Sequence, residues 1–312
     1  MDRSSSLENV FNSIYSQCKF LGINKLKCIH QYNSDIWVDL CNYFKKKSFE
    51  ICEFDLSKII AENDECLEKL LAKNNNYIPC LTVFGLPLFS ENSSTNKKIY
   101  NLLKIYSMQN DYIIFFDWVN IKNKELNMYL EKFQLQALDT DYEELKSINE
   151  KVKNTLMKSD KYKITCRNGT NLYLERGERK IFQENCNFEA EEKIYQLPGG
   201  EVFFAPLEES VNGQIAININ GEIRLIPVRN GIAFTKGLLI KEVNEMPIAE
   251  IGIGTNKRAK PISALTLGEK AKGTIHIGFG DNTHFGGKSK KEYHFDILIK
   301  SPKIKLLKRG NM

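Results

Sequence analysis

The sequence lacks the features of a membrane protein and of a small disulfide-stapled secreted protein. No uncharged apolar stretch approaches the roughly 20 residues that a membrane-spanning helix needs. The opening residues MDRSSSLENVFNSIYSQ show no basic segment followed by an apolar one. The eight cysteines are scattered and form no Cys-x-x-Cys pair. We therefore expect a cytoplasmic protein without membrane contact, whose cysteines are buried free thiols.

An excess of one charge is also lacking. The chain has 44 Lys and Arg against 39 Asp and Glu, interleaved along its length, for a net charge of +5. A nucleic-acid-binding protein usually concentrates basic residues on one face. The two short basic runs, 44–48 and 300–312, are typical of a solvated surface. We expect no nucleic-acid partner, and a homodimer is compatible with the sequence.

Two parts of the chain differ in the pattern of their elements. Residues 1–158 alternate helical and short apolar segments, which predicts an α/β domain. Residues 159–312 string short β-branched strands between Asn-Gly and Gly turns, with one short helix near 264–273, which predicts a β-rich (α+β) domain. In the first part, the predicted strands are 25–32, 48–56, 77–89 and 111–119. The predicted helices there are 6–22, 36–47, 64–76 and 139–160, the last of them a solvated connector.

Histidine is scarce except in one stretch. Three of the four histidines lie in GTIHIGFGDNTHFGGKSKKEYHFDI, residues 273–297. In a strand His294 and Asp296 point to the same side, and His276 points away from the isoleucines beside it. An imidazole and a carboxylate on one face form half of a metal site. A hydrogen-bonded strand residue is the alternative for a lone histidine, but this clustering favours a metal site.

Two glutamates in Gly-rich surroundings are further candidate ligands. Glu201 follows a Gly-Gly pair in LPGGEVFF, and Glu250 lies in MPIAEIGIGTN. A carboxylate in so apolar a stretch is costly to bury unless a cation pairs with it. By spacing alone, each glutamate could equally be a surface residue at the end of a strand. Two histidines with one carboxylate are compatible with non-haem iron or with zinc.

Four segments, in this order, resemble the aminopeptidase T family of metallopeptidases, also called AmpS-like or thermophilic metalloproteases: LPGGEVFFAPLEESVNG, AEIGIGTN, EKAKGTIHIGFGDN and YHFDI. The resemblance covers roughly 160–300 and implies an aminopeptidase T-like fold for the C-terminal metal-binding domain. It also implies two divalent metal ions per chain (zinc, cobalt or manganese) and the release of N-terminal amino acids from peptides by a metal-activated water. The ligands that it implies are Glu201, Glu250, His276, His294 and Asp296. Glu250 or Glu201 would carry the proton of the water to the leaving amine.

The chain departs from the family's pattern shortly after His276. The family has a Tyr there, whereas this chain has GDNTHFGG with His284. His284 is therefore a candidate acid–base residue, and a solvated loop histidine is the alternative. The same superfamily contains 2,5-dihydroxypyridine 5,6-dioxygenase, which resembles this chain but lacks the glutamate of GGEV. A dioxygenase with one iron(II) and a small-molecule substrate, or a repurposed biosynthetic metalloenzyme, is the alternative function.

Three other polar residues are candidates for supporting roles. Asn256 and Asn282 are predicted to hydrogen-bond ligands or substrate, with turn formation as the alternative. Glu269 is predicted to orient a histidine, with an exposed helix face as the alternative.

Overall fold

The structure is a computed structural model. It describes the following residues: 3–30, 35–55, 81–87, 112–119, 123–188, 193–262 and 265–308. The chain divides into two compact units. The first comprises Met1–Tyr142 and Cys186–Gly199, and the second comprises Glu143–Asn185 and Gly200–Met312. No helix within the described residues is long and apolar enough to cross a membrane.

The first unit contains a five-stranded parallel sheet in the order β2-β1-β3-β4-β8. Its strands are β1 (Lys25–His30), β2 (Glu50–Asp55), β3 (Leu81–Pro87), β4 (Tyr112–Trp118) and β8 (Ile194–Leu197). The helices in the described part of this unit are α1 (Arg3–Phe20), α2 (Asp35–Lys46) and α3 (Lys124–Leu138). The predicted α/β organisation of this part is confirmed, although the predicted helix at 64–76 lies outside the described residues.

Helix α3 is not among the predicted helices. The sequence nevertheless contains a helix-capping residue, Asn123, at its start. The Asn123 side chain accepts a hydrogen bond from the backbone N–H of Leu126 at 3.0 Å and caps the first turn. Leu130, Leu135 and Leu138 are buried at helical spacing.

The division into units differs from the predicted boundary at residue 158 in two ways. Helix α4 (Tyr142–Leu156) lies almost entirely in the second unit, and Cys186–Gly199 belongs to the first. The chain returns to the first unit at Cys186–Gly199 because β8 pairs in parallel with β4, with Ile194 of β8 opposite Ile113 of β4. Such a pairing joins residues far apart in sequence, so local periodicity does not reveal it.

The prediction that the helix at 139–160 is a solvated connector is wrong for one of its faces. Leu145, Asn149 and Leu156 of α4 are buried. The Asn149 side chain donates a hydrogen bond to the backbone oxygen of Glu201 at 3.1 Å, so this helix packs within the second unit. Its charged residues occupy the other face.

The second unit is built on an antiparallel sheet in the order β15-β14-β13-β12-β11-β10-β6-β5-β16, with β9 pairing β13 and β7. Its strands are β5 (Lys161–Thr165), β6 (Asn171–Glu175), β7 (Phe182–Glu184), β9 (Glu201–Phe204), β10 (Asn212–Ile219), β11 (Glu222–Arg229), β12 (Ile232–Phe234), β13 (Glu245–Gly254), β14 (Thr274–Gly280), β15 (His294–Lys300) and β16 (Lys303–Leu306). The predicted short helix is α5 (Leu265–Lys270). The predicted Asn-Gly turns are also present, since Asn220-Gly221 and Asn230-Gly231 all have positive φ.

One face of β13, β14 and β15 forms the core of the second unit. Ile251, Ile275, Ile277 and Phe279 are at most 1% exposed there. Because side chains alternate, the opposite face of these strands is left for polar residues. Elsewhere, the cysteines within the described residues are free thiols, four of them buried, as predicted: Cys18, Cys28, Cys41, Cys52, Cys166 and Cys186.

Candidate metal centre

The five predicted ligands converge on one face of four adjacent strands of the second unit. Glu201 lies on β9, Glu250 on β13, His276 on β14, and both His294 and Asp296 on β15. Glu201, Glu250 and His276 are at most 5% exposed. Because side chains alternate along a strand, these five residues lie on the same face of the sheet. The pairing of the four strands then places them side by side.

Glycines alternate with these polar residues on β13 and β14 and make room for their side chains. Gly252 pairs with His276, and a Cβ on Gly252 would lie 2.0 Å from His276 Cε1. A Cβ on Gly278 would lie 2.7 Å from the Cβ of Glu250 and 2.9 Å from Asp296 Oδ1. All three distances are too short for a side chain to fit without displacing its neighbours, so the two glycines leave the space in which the polar groups meet.

Glu250 is shared by two groups of potential ligands. In the first group, His276 Nε2 lies 3.1 Å from Glu250 Oε1 and 3.5 Å from Glu201 Oε2. In the second, His294 Nε2 lies 3.5 Å from Glu250 Oε2 and 3.6 Å from Asp296 Oδ1. Each oxygen of the Glu250 carboxylate thus faces a different histidine.

A backbone contact fixes the orientation of His294. Its Nδ1 lies 2.7 Å from the backbone oxygen of Asp281, which can only accept a hydrogen bond, so Nδ1 carries a hydrogen. In the neutral ring, the lone pair then lies on Nε2 and points at Glu250 and Asp296. A histidine that binds a metal is commonly held in this way.

The carboxylates perturb both histidines strongly. Burial lowers the pKa of His276, but the Glu201 charge and the hydrogen bond to Glu250 outweigh it and raise the pKa to about 10. Burial likewise opposes a rise at His294, where Asp296 and Glu250 raise the pKa to about 9. The centre is therefore rich in negative charge and attracts cations.

Three buried polar atoms of the centre make no hydrogen bond to the described part of the chain: Glu201 Oε2, His276 Nδ1 and Asp296 Oδ1. Buried polar atoms in proteins normally have a partner. The two oxygens belong to the two ligand groups, and carboxylate oxygen with imidazole nitrogen is a donor set that zinc, iron and manganese accept. These residues therefore fit a divalent cation.

The fold that carries this centre is found in two solved enzymes. No protein-family model matches the sequence, and no curated protein does. The structure is similar to 2,5-dihydroxypyridine dioxygenase from Pseudomonas putida KT2440, with a TM-score of 0.66 and 15% identity over 98% of this chain and 94% of that one. It is also similar to wild-type AmpT from Thermus thermophilus, with a TM-score of 0.68 and 14% identity over 97% and 95%. The chain shares the fold of these two enzymes. The resemblance inferred from the sequence is confirmed at the level of the fold.

Two charged residues beside the centre of this aminopeptidase T-like fold are absent from the sequence prediction. Lys270 is 1% exposed, and its Nζ donates hydrogen bonds to Glu201 Oε1 at 2.5 Å and to Glu184 Oε2 at 2.7 Å. Glu184 is the cross-strand partner of Glu201 on β7. Lysine is rarely buried, so nothing in the local sequence EKAKG marks Lys270 as an interior residue.

The supporting residues have different outcomes. Glu269 is half-buried, so the alternative that it lies on an exposed helix face is wrong. Burial and the Asp296 charge raise its pKa to about 8. The Asn256 side chain accepts hydrogen bonds from the backbone N–H of Arg258 and Ala259, which is the turn alternative. Asn282 likewise holds a loop, since its side chain accepts from the backbone N–H of Ser289 at 2.8 Å.

His284 lies outside both ligand groups, exposed on the 3₁₀ turn Thr283–Phe285. Its acid–base role stays a prediction. The next residue, Phe285, approaches the centre instead, with its ring centroid 5.6 Å from that of His294. Phe285 also packs edge-on against Phe203 at 5.3 Å, and Phe203 stacks on Phe182. These three phenylalanines, here called the aromatic wall, line one side of the centre.

Proposed function

We propose that this chain is a metal-dependent hydrolase of the aminopeptidase T type, which releases N-terminal amino acids from peptides at a two-cation centre. The observation that carries the proposal is that Glu250 belongs to both ligand groups, with one oxygen toward His276 and the other toward His294. Glu250 would therefore help to hold both cations. A single facial iron site needs only two histidines and one carboxylate, and Glu201 would then have no ligand role.

The surrounding charge supports more than one cation. Burial raises the pKa of Glu184 to about 7 and that of Glu269 to about 8, and neighbouring carboxylates contribute to both increases. Burial is the largest cause of both shifts, and the remainder reflects an excess of negative charge from neighbouring carboxylates, Glu201 beside Glu184 and Asp296 beside Glu269. Divalent cations relieve that excess, which favours their binding.

In this proposal the five ligands hold the cations, with Glu201, Glu250 and His276 on one side and Glu250, His294 and Asp296 on the other. Bound cations would supply a water of lowered pKa and polarise the scissile carbonyl. Burial raises the pKa of Glu201, but Lys270 and His276 outweigh it and leave the pKa below its usual value. Burial and Asp296 raise the pKa of Glu250. Before cations bind, Glu250 is therefore the more readily protonated of the two predicted proton carriers.

The aromatic wall supports an apolar subsite beside the reacting group. Phe285 presents ring surface next to His294, and Phe203 packs edge-on against Phe285. Such surface binds apolar side chains through burial from water. We assign it to the side chain of the substrate's N-terminal residue.

The second candidate function is a single-iron dioxygenase. His276, His294 and the carboxylate between them satisfy a two-histidine, one-carboxylate set, and the aromatic wall also suits a planar ring.

Cation counting together with two activity assays distinguishes the candidates. The protein, purified without chelator and loaded with zinc, cobalt or manganese, is expected to bind about two cations per chain and to release amino acid from aminoacyl p-nitroanilides. One bound iron with oxygen consumption on 2,5-dihydroxypyridine, and no hydrolysis, would contradict the proposal and support the dioxygenase.

A further inference from the structure

Lys270 is an ammonium group enclosed by carboxylates within the second unit. Its two partners are themselves shielded, since the side chain of Glu201 is 7% exposed and that of Glu184 is 19% exposed. A buried ammonium is costly unless it is both paired and hydrogen-bonded. Lys270 meets this condition through its contacts with two carboxylates. Lys270, Glu184 and Glu201 are here called the trio.

The backbone holds the trio in register. Glu184 and Glu201 are partners across β7 and β9, and the Glu184 oxygen accepts a hydrogen bond from the Gly200 N–H at 2.8 Å. The Lys270 oxygen accepts one from the Asn256 N–H at 2.8 Å. A Cβ on Gly200 would lie 2.4 Å from the Cβ of Asn256, so the segments on both sides of the trio are in close contact. The backbone position of Lys270 and the positions of its two carboxylate acceptors are therefore fixed.

The contact divides the two oxygens of Glu201 between different partners. Oε1 lies 2.5 Å from Lys270 Nζ. Oε2 is buried without a hydrogen bond from the described residues and lies 3.5 Å from His276 Nε2. We propose that Lys270 is a positioning residue, which occupies one oxygen of Glu201 so that only the other enters the ligand group with Glu250 and His276. The inference rests on the proposed two-cation centre.

Charge alone would give Lys270 the opposite effect. An ammonium beside a ligand carboxylate repels a nearby cation, so Coulomb's law predicts that removing Lys270 tightens cation binding. Positioning predicts that removing it loosens binding, because Glu201 becomes free to turn. The two explanations therefore differ in sign.

The double variant Lys270→Met with Glu184→Gln separates these explanations. At a pH above the pKa of Glu184, it removes one positive and one negative charge, which leaves the net charge of the trio unchanged. Because loss of residues that orient metal ligands commonly costs about 10–100-fold in metal affinity, we expect the affinity of one of the two cations to fall by about this factor. The other cation, with Glu250, His294 and Asp296, is expected to keep its affinity. Titration calorimetry with zinc or manganese measures both affinities.

Glu184→Gln alone is the matched control, since it retains the contact between Lys270 and Glu201 and is expected to bind two cations. Thermal unfolding checks that each variant is folded. Should the double variant not fold, Lys270→Gln replaces it, because a glutamine is too short to reach Glu201. Weaker binding of one cation by Lys270→Gln supports the positioning role of Lys270, and tighter binding overturns that role.

The outcomes for Lys270 and for the proposed function are separable. If the wild-type protein binds two cations and the double variant binds both with unchanged affinity, the role of Lys270 is overturned and the proposed function is not. A wild-type protein that binds only one cation would contradict the proposed function and, with it, the role of Lys270.

Discussion

Gly252 lies against the imidazole of His276, its cross-strand partner, so closely that a single methyl group would lie 2.0 Å from the ring. The backbone of β13 thereby fixes the plane of a predicted ligand. Gly252→Ala is expected to displace the ring, to destabilise the fold by about 1–3 kcal/mol as in other overpacked interiors, and to weaken one cation site. Cation titration and thermal unfolding measure the two effects.

Gly273→Ala is the control for Gly252→Ala, since no atom lies within 4 Å of its added Cβ. Its φ of +89° brings a backbone penalty of about 1–2 kcal/mol. Cation affinity should stay unchanged. Equal cation binding in both variants would remove Gly252 from any role in the centre.

Glu201→Gln tests the number of cations. The amide keeps the size of the side chain but removes the charge that supports the second cation. We expect metal content to fall from about two per chain to about one and peptide hydrolysis to collapse. Glu175→Gln is the control, because Glu175 pairs with Lys161 at the surface, where ion pairs contribute little. Full metal content and full hydrolysis in Glu201→Gln would contradict a two-cation mechanism.

Two histidine variants compare a predicted ligand with an exposed neighbour. His294→Ala is expected to lose cation binding and activity while the fold persists, because the Nε2 of His294 faces two carboxylates. His284→Ala is expected to retain both cations, since its side chain lies outside the ligand groups. Metal analysis and turnover at several pH values measure both. A fall in turnover of His284→Ala with full metal content would support its predicted acid–base role.

Phe285→Ala tests the aromatic wall. Removing this ring takes away apolar surface beside His294, and lost burial of this kind commonly costs about 1–3 kcal/mol in discrimination. We expect kcat/KM for leucyl and phenylalanyl substrates to fall about tenfold or more relative to glycyl substrates. Phe20→Ala, which alters a 90% exposed ring in the first unit, is the control. A uniform loss over all substrates would argue against a subsite at the aromatic wall.

Cation removal is expected to lower stability. Cations that bind only the folded chain stabilise it by an amount that grows with concentration, reaching about 4 kcal/mol at a thousand times Kd. Chelation should therefore lower the Tm of the wild-type protein, whereas Glu250→Ala, which removes the shared carboxylate, should show a smaller change. Equal Tm with and without chelator in wild-type protein would contradict a folded-state cation site.

Local alternation of side chains was sufficient for much of the second unit. It predicted that His294 and Asp296 share a face of β15, and the distance from His294 Nε2 to Asp296 Oδ1 is 3.6 Å. The Asn-Gly turns were predictable in the same way, because their positive φ is a property of the two residues themselves. Patterns with a period of two need no knowledge of the neighbouring strands.

The tertiary structure alone decided which residues meet across strands. Glu250 became the shared carboxylate through the register of β13 against β14 and of β14 against β15. Lys270 became a buried partner of Glu201 because α5 packs against β13, β14 and β15, although lysine in isolation predicts exposure. β8 joined the first unit through its pairing with β4. Each of these depends on contacts between residues distant in sequence, whose free energy exists only once the strands are assembled, so no local pattern encodes them.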